Sequence, residues 1–188
     1  MHLNPLRIVN AFWIVLMTVW ALGALQASPA VRRQPVRSRT AYVLLLVAAS
    51  LVMWRRPFGL LGERFVPHTE LVGWIGVGVA LLGIAVAIAA RVFLGRHWSG
   101  SVTVKKDHEL IRRGPYAVVR HPIYSGILLG LVGTAIAVGE VRELIGVALF
   151  AIGFRVKSLT EEQFMEEEFG GEYREYKRRV KALIPLVW

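Results

Sequence analysis

The chain has 188 residues, of which 55% are hydrophobic, with a formal net charge of +10 and no cysteine. Its mean hydropathy is +0.50, high for a soluble domain, and its apolar residues come in long runs, which places it in a bilayer. The missing cysteine excludes a disulfide scaffold, an iron–sulfur site and a cysteine nucleophile. The basic excess fits a positive-inside bias and attraction to anionic headgroups better than nucleic acid, for which no module is visible.

The first apolar run, Ile8 to Ala27, is long enough to span and has only Arg7 before it. It reads as a retained transmembrane helix rather than a cleaved signal. Trp13 and Trp20 within it suit helix partners or the membrane interface. Pro29 and the basic run Arg32, Arg33, Arg37 and Arg39 close it. A second helix, Thr40 to Trp54, ends at Arg55-Arg56-Pro57, and a short loop with Glu63, Arg64, Pro67 and His68 follows. The third, Leu71 to Leu94, is the longest apolar stretch. Its Gly73, Gly76, Gly78 and Gly83 follow no strand, so they are not a nucleotide loop. Small residues at such spacing let helices pack closely.

From Arg96 to Arg120 the chain turns polar. "SVTV" alternates like a strand, "KKDH" reads as its turn, and "ELIRRGPY" stays extended because Gly114 and Pro115 oppose helix. A small hairpin-like cytosolic segment is expected here. Two apolar runs, Ile123 to Val138 and Leu144 to Phe154, are joined by "GEVRE" and should form a tight helical hairpin. The tail from Lys157 reads as a separate charged amphipathic helix. Met165, Phe169, Tyr173, Tyr176 and Val180 share one face of it, and Gly170-Gly171 breaks or bends it. Five spans put the three basic regions, 30–40, 96–120 and the tail, on one side. That side should be the cytosol, with the N-terminus outside, in an inner or cell membrane. The 55–70 loop, with three arginines against two glutamates, is the part that fits this bias least. The expected fold is therefore an all-α integral membrane protein with about five transmembrane helices. Residues 1–188 form one membrane domain, with three N-terminal spans in 1–95 and a functional half in 96–188.

The stretch "RRGPYAVVRHPIYSG", Arg112 to Gly126, concentrates two prolines, three arginines, a histidine and two tyrosines at a helix entrance. Pro122 suits the first turn of the following helix, where its missing N–H costs nothing. That helix N-terminus has free N–H groups and partial positive charge, and Arg120 and His121 stand beside it. Together they make an anion pocket fit for a carboxylate or phosphate. Read more plainly, Arg120 and His121 anchor to lipid headgroups. Glu161 and Glu162, at the start of the tail helix, complement its dipole. If closed against the basic segment, they would help bind a ligand of both charge signs, such as an amino acid-like headgroup. His97, His108 and His121 lack metal-ligand spacing, so no metal is expected. Ser99, Ser101 and Ser125 lack a nucleophile context.

At these residues the sequence resembles the isoprenylcysteine carboxyl methyltransferase family. It also resembles the wider group of small membrane methyltransferases that includes phospholipid N-methyltransferases. The matching pieces are "KDHELIRRGPYAVVRHPIYSG" and "EEQFMEEEFGGEYREYKRRVKALIP", within the part from about Arg91 onward. The resemblance implies S-adenosylmethionine as methyl donor, in a cytosolic pocket formed by the hairpin-like segment, the "RHP" helix start and the C-terminal helix. It implies a lipophilic or prenylated acceptor that arrives laterally from the membrane lipids. Carried over, His108 and Leu110 match the start of the cofactor segment, and Gly114, Pro115 and Tyr116 its turn. Arg120, His121, Pro122 and Tyr124 match the "RHP" motif, and Glu161 and Glu162 the glutamate pair. An arginine that precedes the pair in eukaryotic members has Arg155 or Lys157 as its counterpart here. Arg120, Glu161, Glu162 and Arg155 are then the catalytic candidates. An ionised carboxylate acceptor needs orientation rather than a base. An amine acceptor would make Glu161 or Glu162 a base. Carboxyl O-methylation is the first expectation, phospholipid N-methylation the second. An NADPH-dependent sterol-type reductase or a non-enzymatic lipid-binding protein stand further off.

Overall fold

The computed structural model describes residues 4–25, 30–33, 36–55, 59–95, 103–105 and 110–185. Six helices account for nearly all of these: α1 (Pro5–Leu25), α2 (Val36–Trp54), α3 (Glu70–Leu94), α4 (Pro122–Val138), α5 (Val141–Phe169) and α6 (Gly171–Arg179). Two short strands, β1 (Ala30–Arg33) and β2 (Thr103–Lys105), pair antiparallel. The strand read from "SVTV" therefore exists, but its partner is not within the 96–120 segment. It pairs with the linker after α1, because both segments leave the helices at the same end of the molecule.

Helices α1 and α3 are long and apolar enough to cross a bilayer, and α2 and α4 are shorter apolar helices. Their outer faces carry Ile14, Met17, Leu22, Leu71, Leu81, Leu82 and Val92, all exposed. An apolar surface of that extent suits lipid, not water, and the chain is an integral membrane protein.

Glycine contacts give the helix order. A Cβ on Gly83 would lie 2.2 Å from the Gly130 nitrogen, and one on Gly76 would lie 2.6 Å from the Ala137 nitrogen. The two helices thus run antiparallel at nearly backbone contact, as the small residues of α3 led us to expect. Gly78 departs from that expectation, with nothing within 4 Å of its Cβ position. It sits on the outer face. Trp13 faces a partner, its indole N–H donating to Thr134 Oγ1 at 2.9 Å. Helix α2 lies on α5, with Met53 against Gly146 and Leu46 against Gly153. Gly139 and Glu140 alone link α4 to α5, so the tight hairpin is met. At that far end Phe65 N–H donates to Gly139 and Val141 N–H to Glu63, and Arg142 donates to the Met53 carbonyl. The alternating directions bring the ends of α1 and α3, and the starts of α2 and α4, to the opposite end.

The tail differs most from expectation. Glu161 and Glu162 do not open a helix. They lie deep in α5, a continuous 29-residue helix. The apolar run ends at Phe154, but no glycine or proline follows until Gly170, so the helix continues as a charged extension beyond the bilayer. Gly170, with φ +52°, makes the break before α6. Tyr173 and Tyr176 are buried beneath α6, while the five expected face residues are divided by that break.

Candidate active site

The turn Gly114–Ala117 leads the chain into the site. It is a 3-10 turn rather than extended, with Pro115 in its first turn. Gly114 has φ +60°, and a Cβ there would lie 2.6 Å from the Phe93 ring. Both the backbone and the space demand glycine. Tyr116 is buried, and its carbonyl accepts the Tyr176 hydroxyl at 2.5 Å. Leu110 is half-buried where the described segment resumes, and His108 lies outside the described residues.

From Val119 the chain runs parallel to the C-terminal strap. Arg120 N–H donates to Lys181 at 2.8 Å and His121 N–H to Ala182 at 3.0 Å. Ser125 Oγ donates to Leu183 at 2.5 Å. Pro122 opens α4, as its fixed φ favours.

At the α4 entrance Arg120 and His121 stand together as expected, and the anion between them is the chain's own Glu162. Arg120 donates from Nη2 at 2.6 Å and Nε at 3.1 Å to Glu162 Oε1, and its Nη1 reaches the Val180 and Lys177 carbonyls. His121 Nε2 lies 3.2 Å from the same oxygen, and Lys177 Nζ 3.3 Å from Oε2. Glu161 accepts the Tyr124 hydroxyl at 2.6 Å and faces His121 Nδ1 at 3.4 Å. Lys157 Nζ stands 3.9 Å from Glu161. The Arg120 and Glu162 side chains are only 8% and 2% exposed, so this is a desolvated network, not a surface pair. The rings of His121, Tyr124 and Phe154 stack nearly parallel, at 5.4 and 4.8 Å.

Burial alone would push the Glu162 carboxyl up. Hydrogen bonds from His121 and Arg120, with their charges, outweigh it and hold Glu162 at about 2. Burial likewise raises and His121 and Lys157 lower Glu161, whose net shift is downward. Burial pulls His121 down, but its bonds to Glu161 and Glu162 leave it raised above 6.5. Both kinds of shift act on stability. Glu162 stabilises fully above its ordinary 4.5 and loses that contribution as pH falls through about 2. His121 stabilises fully below 6.5 and loses its contribution as pH rises through its folded value. Thermal unfolding in detergent should therefore show greatest stability between these limits. Glu162→Gln should flatten the acid limb, removing on the order of 3 kcal/mol of pH dependence.

Of the expected residues, Gly114, Pro115, Tyr116, Arg120, His121, Pro122, Tyr124, Glu161 and Glu162 converge here. Arg155 lies on α5 below them, half-buried, with Nη1 inside the protein and its carbonyl accepting from Ser158. Of the two cations before the glutamate pair, Lys157 is the one set against Glu161. The four-residue spacing of Lys157 and Glu161 was its signal. Lys177 lay within the second motif block but was not singled out, since it reaches Glu162 only through the α6 break; Tyr42, whose ring lies under the Lys157 ammonium, had no signal, coming from the half without motifs.

Residues 71–172 match the family model described as phospholipid methyltransferase, more than half of the chain and all of the network except its α2, Lys177 and strap contacts. The chain belongs to the phospholipid methyltransferase family. Within it, the chain is 30% identical over 129 residues to protein-S-isoprenylcysteine O-methyltransferase B of Arabidopsis thaliana, covering 65% of this chain and 66% of that one. It is 32% identical over 108 residues to the cobalt-zinc-cadmium resistance protein CzcN of Cupriavidus metallidurans, covering 57% and 48%. Its fold resembles the solved eukaryotic intramembrane Ras methyltransferase, an isoprenylcysteine carboxyl methyltransferase. The TM-score is 0.56 at 20% identity, over 81% of this chain and 52% of that one. The chain thus spans about half to two thirds of the length of these proteins. The likeness to isoprenylcysteine methyltransferases read from the two motif blocks holds.

Proposed function

We propose that the chain is an S-adenosylmethionine-dependent methyltransferase that methylates a carboxylate on a lipophilic, prenylated acceptor at the cytosolic membrane face. The observation that carries this is the buried network of both charge signs at the α4 entrance, in a chain of this family. The donor set fits the cofactor. Glu161 and Glu162 suit its ammonium and sulfonium charges, Arg120 and His121 hold Glu162 for that task, Lys177 at the exposed edge of the network suits its carboxylate, and the Gly114–Ala117 turn supplies a close-approaching wall. A cofactor held by these residues would supply an electrophilic methyl on a sulfonium, with a neutral thioether as its leaving group.

The chain's own residues orient and dry the reaction. An acceptor carboxylate is ionised at neutral pH, so none of these residues need remove a proton. In this reading a cation before the glutamate pair, Arg155 or Lys157, orients the carboxylate, and alignment of this kind supplies much of the rate. The stacked Tyr124 and Phe154 rings keep water from the approach. The N-terminus lies outside in this reading, because β1, β2, the run from Leu110 to Arg120 and the strap share the other end.

A second reading follows from the family's name: N-methylation of a phospholipid amine, with Glu161 as the base. The test is purified protein in detergent with methyl-labelled cofactor. We expect S-adenosylhomocysteine to bind by calorimetry, and label on a farnesylated cysteine acceptor to leave as methanol in base. Base-stable label in lipid would select the second reading, and absence of cofactor binding would defeat both.

A further inference from the structure

The cations that can meet lipid headgroups are not those of the network. Arg120 and His121 are spent on Glu161 and Glu162. Arg174 and Arg178, one turn apart on α6, and Lys181 in the strap are exposed instead, and none of the three has an ion pair among the described residues. The acids of α6 are committed to other cations, Glu172 to Arg112 at 2.8 Å and Glu175 to Arg179 at 2.6 Å. We propose that Arg174, Arg178 and Lys181 form a docking surface for the anionic phospholipid headgroups of the leaflet that borders the site, and that this docking holds α6 and the strap closed over the network.

The level of these residues selects the partner. The strap runs parallel to the start of α4. Val119 pairs with Lys181, Arg120 and His121 donate to Lys181 and Ala182, and Ser125 donates to Leu183. Pro122 opens the apolar span, so Lys181 lies just above the hydrocarbon. Ile184, beyond Leu183, is then level with the first turn of α4. It is 48% exposed, at a level where its surroundings are lipid. Cations followed by an apolar tip are how a segment lies against a charged bilayer. Helix α6 descends to this point from Gly170, since Lys177 near its end reaches Glu162 and its carbonyl accepts from Arg120. Arg178 is next along the chain. Arg174 stands four residues higher, about 6 Å, within the ~8 Å over which charge acts at physiological salt. With this side read as the cytosol, its leaflet is the anionic one. An acidic protein would account for the cations but not for an apolar residue at bilayer level.

The two faces of α6 separate docking from the site. Tyr173 and Tyr176 are buried, and the Tyr176 hydroxyl donates to the Tyr116 carbonyl. At about 100° per residue, Arg174 and Arg178 fall on the opposite side. Headgroups can therefore engage them without displacing the tyrosines. Attraction there opposes any swing of α6 about the Gly170 break, and each cation at the surface multiplies the docked population about fivefold.

Hydrogen exchange read by peptide mass spectrometry, in lipid nanodiscs of POPC alone or of equal parts POPC and POPG, tests this without cofactor. Exchange over residues 171–183 should slow at least about fivefold with POPG, and high salt should abolish the difference. The combined variant Arg174→Gln, Arg178→Gln and Lys181→Gln should lose the slowing, whereas Arg55→Gln at the other end should keep it. Equal exchange in the two discs, or slowing that survives in the combined variant, overturns the proposal. Should that variant fail to fold, the salt-dependent comparison on the wild-type chain still decides. Soluble polyglutamate that slows exchange in POPC discs as much as POPG does would overturn the bilayer as partner in favour of an acidic protein. Charge-dependent slowing in a protein that binds no S-adenosylhomocysteine would remove the methyltransferase reading and leave the docking surface standing. Cofactor binding with equal exchange would do the reverse.

Discussion

Arg120→Ala is expected to destabilise the protein by about 3–5 kcal/mol and to abolish measurable cofactor binding. The guanidinium ties three elements at once. It donates twice to Glu162 on α5, and its Nη1 reaches the carbonyls of Lys177 at the end of α6 and Val180 in the strap. Its removal leaves a carboxylate whose side chain is 2% exposed, with only His121 and Lys177 to compensate. Breaking a buried pair from one side costs far more than the pair is worth against an apolar replacement. Arg120→Met combined with Glu162→Gln should therefore recover much of the stability lost by Arg120→Ala, but none of the binding. Arg120→Lys should do poorly in both, since one ammonium cannot span the fork. Limited proteolysis gives a second readout, because the strap Lys181–Leu183 is bonded to residues 120, 121 and 125. Cleavage there should accelerate in Arg120→Ala. Unfolding in detergent within about 1 kcal/mol of wild type would contradict the account.

How much of this was legible follows from which forces are local. The two long spans, α1 and α3, were readable because an apolar run needs no partner to declare itself, and α3 begins one residue before its expected start. Pro122 at the head of α4 and the Gly170 break were equally legible, since proline and glycine act through their own backbone. The α5 boundary was misread because the composition changes at Arg155 while the backbone has no reason to stop. Hydropathy marks where the bilayer ends; helix breakers mark where a helix ends, and here the two differ by fifteen residues, from Phe154 to Phe169.

The site shows the same division. That Arg120, His121 and the glutamate pair belong together was legible because they lie in compact motif blocks, and their side chains do meet. That Glu162 itself is the anion between Arg120 and His121 was not legible, since it depends on α5 folding back beside α4. The β1–β2 pairing escaped for the same reason: it joins residues about seventy positions apart. Tyr42 is the extreme case, because only the Gly146 and Gly153 seam brings it to Lys157.

Gly83→Ala and Gly78→Ala make the same chemical change five residues apart on α3, and opposite outcomes are expected. A Cβ on Gly83 would meet the Gly130 nitrogen at 2.2 Å and the Gly126 carbonyl oxygen at 2.6 Å. These are backbone atoms of α4, so no side chain can yield and the helices must separate. Overpacking of that kind costs about 1–3 kcal/mol. At Gly78 nothing lies within 4 Å, and alanine removes a helix penalty of about 1 kcal/mol. That variant should equal or exceed wild type in detergent unfolding. The α3–α4 seam also positions function, because its near end carries Phe93 against Gly114 and the His121–Tyr124 turn. Gly126, one turn into α4, would press on the Ala87 nitrogen at 2.5 Å. Gly133, two turns further, would press on the Ala80 nitrogen at 2.2 Å. Both alanine variants should lose stability, but Gly126→Ala should lose more cofactor affinity, since its strain falls beside the network. Equal affinity loss in the two would mean that the seam acts on the site only through overall stability.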